Sequence, residues 1–211
     1  MKFFKRLNIF KKDSDLSKRA NEIMDNVEEN NLACKNILEL ISNNSTSIEL
    51  INNSKTSYYV FLTDKIYLSN NDKNKNNFTR VGMIAHECIH SVQSKILQWI
   101  NFLSSNLEMI FFAILIVLKL FNFLNLELII IYSVISLISI ITRNFLEVEA
   151  TVKSVNLSKK YLSKILNDGK TNEIIDLYKF QTFVLLPGFI IYLNFGKILR
   201  FVAALVLYYL I

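Results

Sequence analysis

The run MIFFAILIVLKLFNFLNLELIIIYSVISLISII, Met109 to Ile141, decides the architecture of this chain. It is almost wholly apolar over about 33 residues, and one straight helix of that length would measure about 50 Å at about 1.5 Å per residue. A bilayer's hydrocarbon core is only about 30 Å thick. Two short spans therefore fit better than one, with Asn122, Asn125 and Glu127 marking the turn between them. Lys119 stands near that turn, where its ammonium can snorkel to the interface. The hairpin has a topological consequence. Whatever follows Ile141 returns to the side of the membrane from which Met109 entered.

Composition agrees with an embedded protein. The chain has 211 residues, 52% of them apolar and 20% charged, against 45–50% apolar in typical globular domains. The excess lies in 109–141 and in Phe180–Ile211, whereas residues 1–80 are rich in Asn, Lys and Ser. Net charge is +6, but no basic run is interleaved with stacking aromatics, so nucleic acid is not an expected partner. The lysines fit cytoplasmic loops. Many precede the first span, Arg143, Lys153, Lys159, Lys160, Lys164 and Lys170 follow the second, and the turn between has almost none. The two cysteines, Cys34 and Cys88, form no Cys-x-x-Cys pair and predict neither a disulfide framework nor a thiolate metal site. The start, Met1 to Lys12, is basic without a continuous apolar core and does not read as a signal peptide. It reads as a short surface helix on a membrane or as a frayed tail.

Working back from the hairpin, Asp13–Ser42 has a helical stripe of Ile23, Val27, Cys34, Ile37, Leu38 and Ile41. Polar breaks follow at 43–47 and 52–54. Tyr58–Leu62 and Lys65–Ser69 flank a short polar step and predict a strand pair. Asn70–Asn77 is a solvated loop. Thr79 or Arg80 opens a helix whose apolar face is Val81, Ile84, Ala85, Cys88, Ile89 and Val92, predicted to continue past Gln93 to Trp99.

That helix carries His86-Glu87-Cys88-Ile89-His90, and the chain's only two histidines are both in it. Residues i and i+4 share a helix face, about 6 Å apart, so both imidazoles can reach one metal ion. Glu87 lies beside that ion and can take a proton from a water there. This is the His-Glu-x-x-His arrangement of zinc peptidases. Cys88 stands at the opposite helical angle and reads as a packing residue.

A catalytic zinc needs a third protein ligand. The downstream acids are Glu108, Glu127, Glu147, Glu149, Asp168, Glu173 and Asp176. The hairpin leaves Glu127 at the far turn and brings Glu147 back, one to two helical turns past the returning span. Glu149, two residues on, points elsewhere. Glu147 is therefore the expected ligand and Glu149 the alternative, although interfacial charges flanking a span would look the same. From Thr142 to Lys170 the apolar period runs through Phe145, Val148, Val152, Val155 and Leu162, with Gly169 the expected C-cap. Phe180–Phe195 and Ile198–Ile211, separated by Gly196-Lys197, read as two spans, or as one span and an interfacial helix.

His86-Glu87-Cys88-Ile89-His90-Ser91-Val92-Gln93 resembles the motif of the YugP-like membrane zinc metallopeptidases, His-Glu-x-Gly-His with a Gln three residues later. Glu147-Val148-Glu149-Ala150-Thr151 looks like that family's Glu-x-Asp-Ala-Ser segment after its apolar hairpin, and Leu62–Ser69 is similar to its stretch before the zinc helix. The likeness covers roughly Tyr58 to Leu166. The more distant HtpX and prenyl-protein proteases carry Glu-x-x-Ala-Asp, and Thr151 favours the YugP-like group. Ile89 replaces the usual Gly, and an Asn-rich basic segment replaces an apolar N-terminal anchor. The resemblance implies a zinc endopeptidase with His86, His90 and Glu147 as ligands, Glu87 as general base and a peptide or protein substrate.

The expected fold is thus mainly α and integral to the membrane: a zincin-like helix joined to a transmembrane hairpin, with a small strand pair upstream. The segments are 1–54 (polar, basic, with a helix), 55–108 (strand pair and histidine helix), 109–141 (hairpin), 142–172 (third-ligand helix) and 173–211 (C-terminal membrane helices), together one functional domain. The expected setting is a bacterial plasma membrane with the zinc side cytoplasmic and the lipid bilayer as partner; oligomeric state is left open. The strand pair offers an edge to an extended peptide, or is ordinary sheet packing. A non-catalytic zinc-binding membrane scaffold or regulator is the alternative function.

Overall fold

The computed structural model describes residues 18, 20, 22, 23, 27, 29–43, 45–51, 57–69 and 79–209. The basic N-terminal dodecamer and the Asn70–Asn77 loop lie outside them. The described chain is mostly helical with one small sheet. The elements are α1 (Asn30–Leu40), β1 (Ser47–Ile51), β2 (Tyr58–Val60), β3 (Lys65–Ser69), α2 (Arg80–Val92), α3 (Lys95–Leu120), α4 (Leu126–Ile165) and α5 (Asp168–Tyr209). They form two compact units, one of residues 1–92 and 150–184, the other of residues 93–149 and 185–211.

In the first unit, β2 and β3 form the antiparallel pair expected from the sequence, with Tyr59 opposite Ile66. A third strand joins them. β1 runs parallel to β3 from Ser47↔Lys65 to Ile51↔Ser69, giving the order β1-β3-β2. Asp64 closes the β2–β3 turn in the left-handed region (φ 51°). Its carboxylate accepts from Tyr59 Oη (2.7 Å) and Thr46 Oγ1 (3.2 Å), so one short side chain ties the turn to both neighbours. The core holds Cys34, Ile37 and Leu38 of α1, Ile66 and Leu68 of β3, and Val81, Ile84, Ala85, Cys88 and Ile89 of α2. Val92, expected on the apolar face of α2, is exposed. The start of α2 is anchored by the buried Arg80, which donates to Asn30 Oδ1 (3.0 Å) and to the main-chain oxygen of Val27 (2.8 Å). Gly82 lets the Tyr178 ring approach. A Cβ there would sit 3.3 Å from that ring, and the Gly82 N–H, an orphan donor of the first helical turn, donates to Tyr178 Oη at 3.3 Å.

Two helix ends differ from expectation. α2 stops at Val92, and Ser94 caps a new helix by accepting from the Leu97 N–H at 3.4 Å. Asp168-Gly169 does not end a helix but opens α5 after α4 has ended at Ile165. Asn167 Oδ1 accepts from the Lys170 N–H (3.0 Å), so a side-chain acceptor starting a helix outweighs the glycine's capacity to end one.

In the second unit the hairpin turns where the asparagines stand. α3 ends in a Schellman motif, with Phe123 N–H on Leu118 O (2.8 Å), Asn122 N–H on Lys119 O (3.0 Å) and Asn122 left-handed at φ 59°. Asn125 Oδ1 then accepts from the Leu128 N–H (3.0 Å) to start α4. α4 is continuous for 40 residues, so the predicted third-ligand helix is the prolongation of the second span. α5 runs unbroken through Pro187, Gly188 and Gly196, and the two expected C-terminal segments are one helix. Among the described residues, three helices are long and apolar enough to cross a membrane: Lys95–Leu120, Leu126–Ile165 and Leu186–Tyr209. Only 17%, 22% and 17% of their apolar windows is buried within the chain, and such surfaces need an apolar solvent.

Polar groups nevertheless tie these three helices together. Glu108 of α3 is fully buried. It accepts from Arg200 Nε (3.0 Å) and Nη2 (2.7 Å) of α5 and from Tyr132 Oη (2.7 Å) of α4. A second tie centres on Lys197, buried to 5% exposure. Its ammonium donates to Ser105 Oγ of α3 (3.0 Å), the main-chain oxygen of Ser139 of α4 (3.2 Å) and Ser139 Oγ. Apolar packing of Leu115, Ile129, Tyr132 and Ala204 fills the same bundle.

Candidate metal centre

The helical period that buries Ile84, Ala85, Cys88 and Ile89 turns His86 and His90 to the other side of α2, where both are half-buried. The rings meet edge to face with centroids 4.6 Å apart, and their Nε2 atoms are 3.0 Å apart. At that distance one ring, as its Nε2–H tautomer, can donate to the other, and the same two nitrogens are close enough to share one cation. Cys88 faces the core as expected, its Sγ 3.7 Å from Cys34 Sγ. The contact with Cys34, then burial, pushes the Cys88 thiol well above its ordinary value, the opposite of a reactive or ligating thiolate.

Thr151 Oγ1 lies 3.5 Å from His86 Nδ1, the kind of contact that would orient the imidazole of a metal ligand. Glu147 stands one turn before Thr151 on the same face of α4. Two imidazoles and one carboxylate are the donors that hold a catalytic zinc while leaving a coordination position open.

The expected apolar stripe of α4 is buried only in part. Val155 and Leu162 lie in the core and Phe145 and Val152 are exposed, while Leu146, Ala150, Ser154 and Leu157 are also buried. Glu149, two residues beyond Glu147, accepts from Gln93 Nε2 at 3.0 Å. Glu127 remains in the first turn of α4, at the hairpin bend.

Glu87, beside the histidines on α2, is also half-buried. Its Oε2 accepts the Tyr59 main-chain N–H at 2.8 Å. Tyr59 is central in β2, an outer strand of the sheet. Residue order carries no sign of this contact, because it is made by the backbone and needs only the strand to pass the helix. Burial first, then the hydrogen bond to Asp64, raises the Tyr59 phenol well above its ordinary range, so the ring stays neutral.

No family model, no curated protein and no solved structure matches this chain.

Proposed function

We propose that this chain is a membrane-embedded zinc-dependent endopeptidase of the YugP-like kind. The observation that carries the reading is the pair of imidazoles that His86 and His90 present on one face of α2, with Nε2 atoms 3.0 Å apart and Glu87 next to the first histidine. His86, His90 and Glu147 would hold the ion. A bound zinc would supply Lewis acidity, lowering the pKa of water and polarising a peptide carbonyl. Glu87 takes the proton of the attacking water and returns it to the departing amine. The Tyr59 N–H restrains the Glu87 carboxylate so that it need not be ordered during the reaction. Thr151 orients His86. An extended peptide pairing with β2 along its outer edge would run past Glu87. The excess of Lys and Arg before the first span and after the second supports a cytoplasmic site.

The test is a purified preparation in detergent, analysed for zinc and assayed on fluorogenic peptides. The expected result is about one zinc per chain. Glu87→Gln should keep the metal and lose about 100-fold or more in kcat. Full activity in that variant removes Glu87 as the base. Stoichiometric zinc without turnover on any peptide would instead favour the non-catalytic scaffold.

A further inference from the structure

Gln93 is the first residue after α2, three beyond His90, in the break before α3. It is only 6% exposed. A glutamine buried there must use its amide, and it does so on α4. Nε2 donates to the main-chain oxygen of Leu146 at 2.7 Å and to Glu149 Oε2 at 3.0 Å. These acceptors bracket Glu147, one residue before it and two after. An amide nitrogen offers two hydrogens, matching the two acceptors.

The geometry has two effects. Residues 146 and 149 are three apart and neighbours on the helix surface, whereas 147 and 149 differ by about 200° around the axis. Holding Leu146 O and the Glu149 carboxylate from one point therefore sets the rotation of α4, and with it the direction of Glu147. It also engages the only other carboxylate of that segment. A helix bearing Glu-x-Glu presents one acid or the other according to its rotation about its axis, and the Gln93 amide fixes that rotation.

We propose that Gln93 is a positioning residue that selects Glu147 over Glu149 as the metal-binding carboxylate. The inference rests on the zinc reading above, and its test separates the two. Zinc affinity is measured by competition with a chromophoric chelator for the full-length protein in detergent, together with the melting temperature of the metal-free form. Gln93→Met, which keeps the length of the side chain but has no donor, should lose about 10- to 100-fold in zinc affinity, the usual effect of removing an outer-shell partner. Its metal-free melting temperature should stay within a few degrees of wild type, which distinguishes positioning from a general folding role. Glu149→Gln, which still accepts from Gln93, should bind zinc within about threefold of wild type, and Glu147→Ala should lose more than either. If Gln93→Met folds poorly, Glu149→Gln still decides: a loss there equal to that of Glu147→Ala overturns the selection. Affinity within threefold of wild type in folded Gln93→Met overturns it too, while leaving the zinc reading intact. No zinc binding by wild type, or undiminished affinity in Glu147→Ala, overturns both.

Discussion

Glu108→Ala should destabilise the helical bundle more than any surface change. The wild-type carboxylate is fully buried and accepts three hydrogen bonds, at 3.0 and 2.7 Å from Arg200 and 2.7 Å from Tyr132. Truncation leaves a guanidinium and a phenol without their acceptor in an apolar bundle. Removing one partner of a buried pair costs about 3–5 kcal/mol. The Arg200 side chain is 31% exposed and can turn outward, so the lower end applies, about 3 kcal/mol, or roughly 150-fold in the folding equilibrium. Glu108→Gln keeps an acceptor for Tyr132 and should cost about half as much. The assay is reversible unfolding in mixed micelles titrated with sodium dodecyl sulfate, followed by tryptophan fluorescence or circular dichroism. A double-mutant cycle with Arg200→Leu should recover at least about 2 kcal/mol of the summed single costs, because neither group is then left alone. Stability of Glu108→Ala within about 0.5 kcal/mol of wild type, or strict additivity in the cycle, would refute the view that this pair ties α3 to α5.

Two further outcomes follow from the first unit. Cys34 and Cys88 are both fully buried, and the Cys88 thiol titrates well above its usual range, so neither should react with a thiol-specific reagent at pH 8 in the folded protein, whereas both should react in denaturant; fast labelling of the native chain would contradict the packing of α1 on α2. Tyr59→Phe deletes the 2.7 Å bond to Asp64 but keeps the main-chain N–H on Glu87, so it should lower stability by about 1 kcal/mol and leave peptidase kcat within a few-fold, as read by thermal unfolding and the fluorogenic assay.

Much of this organisation is legible in residue order. The apolar run from Met109 to Ile141 requires a turn because its length exceeds a bilayer, and the asparagines supply it through a left-handed Asn122 and the Asn125 acceptor. The strand pair is visible because β-branched and aromatic residues flank a short polar step. β1 is hidden: Ser47–Ile51 is short, lies between polar segments and is held by a parallel partner, β3, and no local pattern announces a non-local pairing. Gly196-Lys197 reads as a break between two C-terminal segments, and Pro187 is a residue that disfavours a helix interior. In apolar surroundings, however, no water competes for the backbone groups, and α5 stays helical through them. The stripe expected on α4 holds at Val155 and Leu162 but not at Phe145 and Val152, because where lipid covers the outside an apolar residue need not point inward.

By itself the sequence determined the local chemistry: two imidazoles on one helix face with an acid beside them, a chain forced to double back, and a short set of acids able to meet them. Periodicity and length suffice for these, since each depends only on backbone geometry and hydropathy. Only the tertiary structure decided that Gln93 engages Glu149, that the backbone of β2 holds Glu87, and that Glu108 and Lys197 bind the helices together. Those are contacts between distant segments, set by how whole helices rotate and pack, and rotation about a helix axis leaves no trace in residue order.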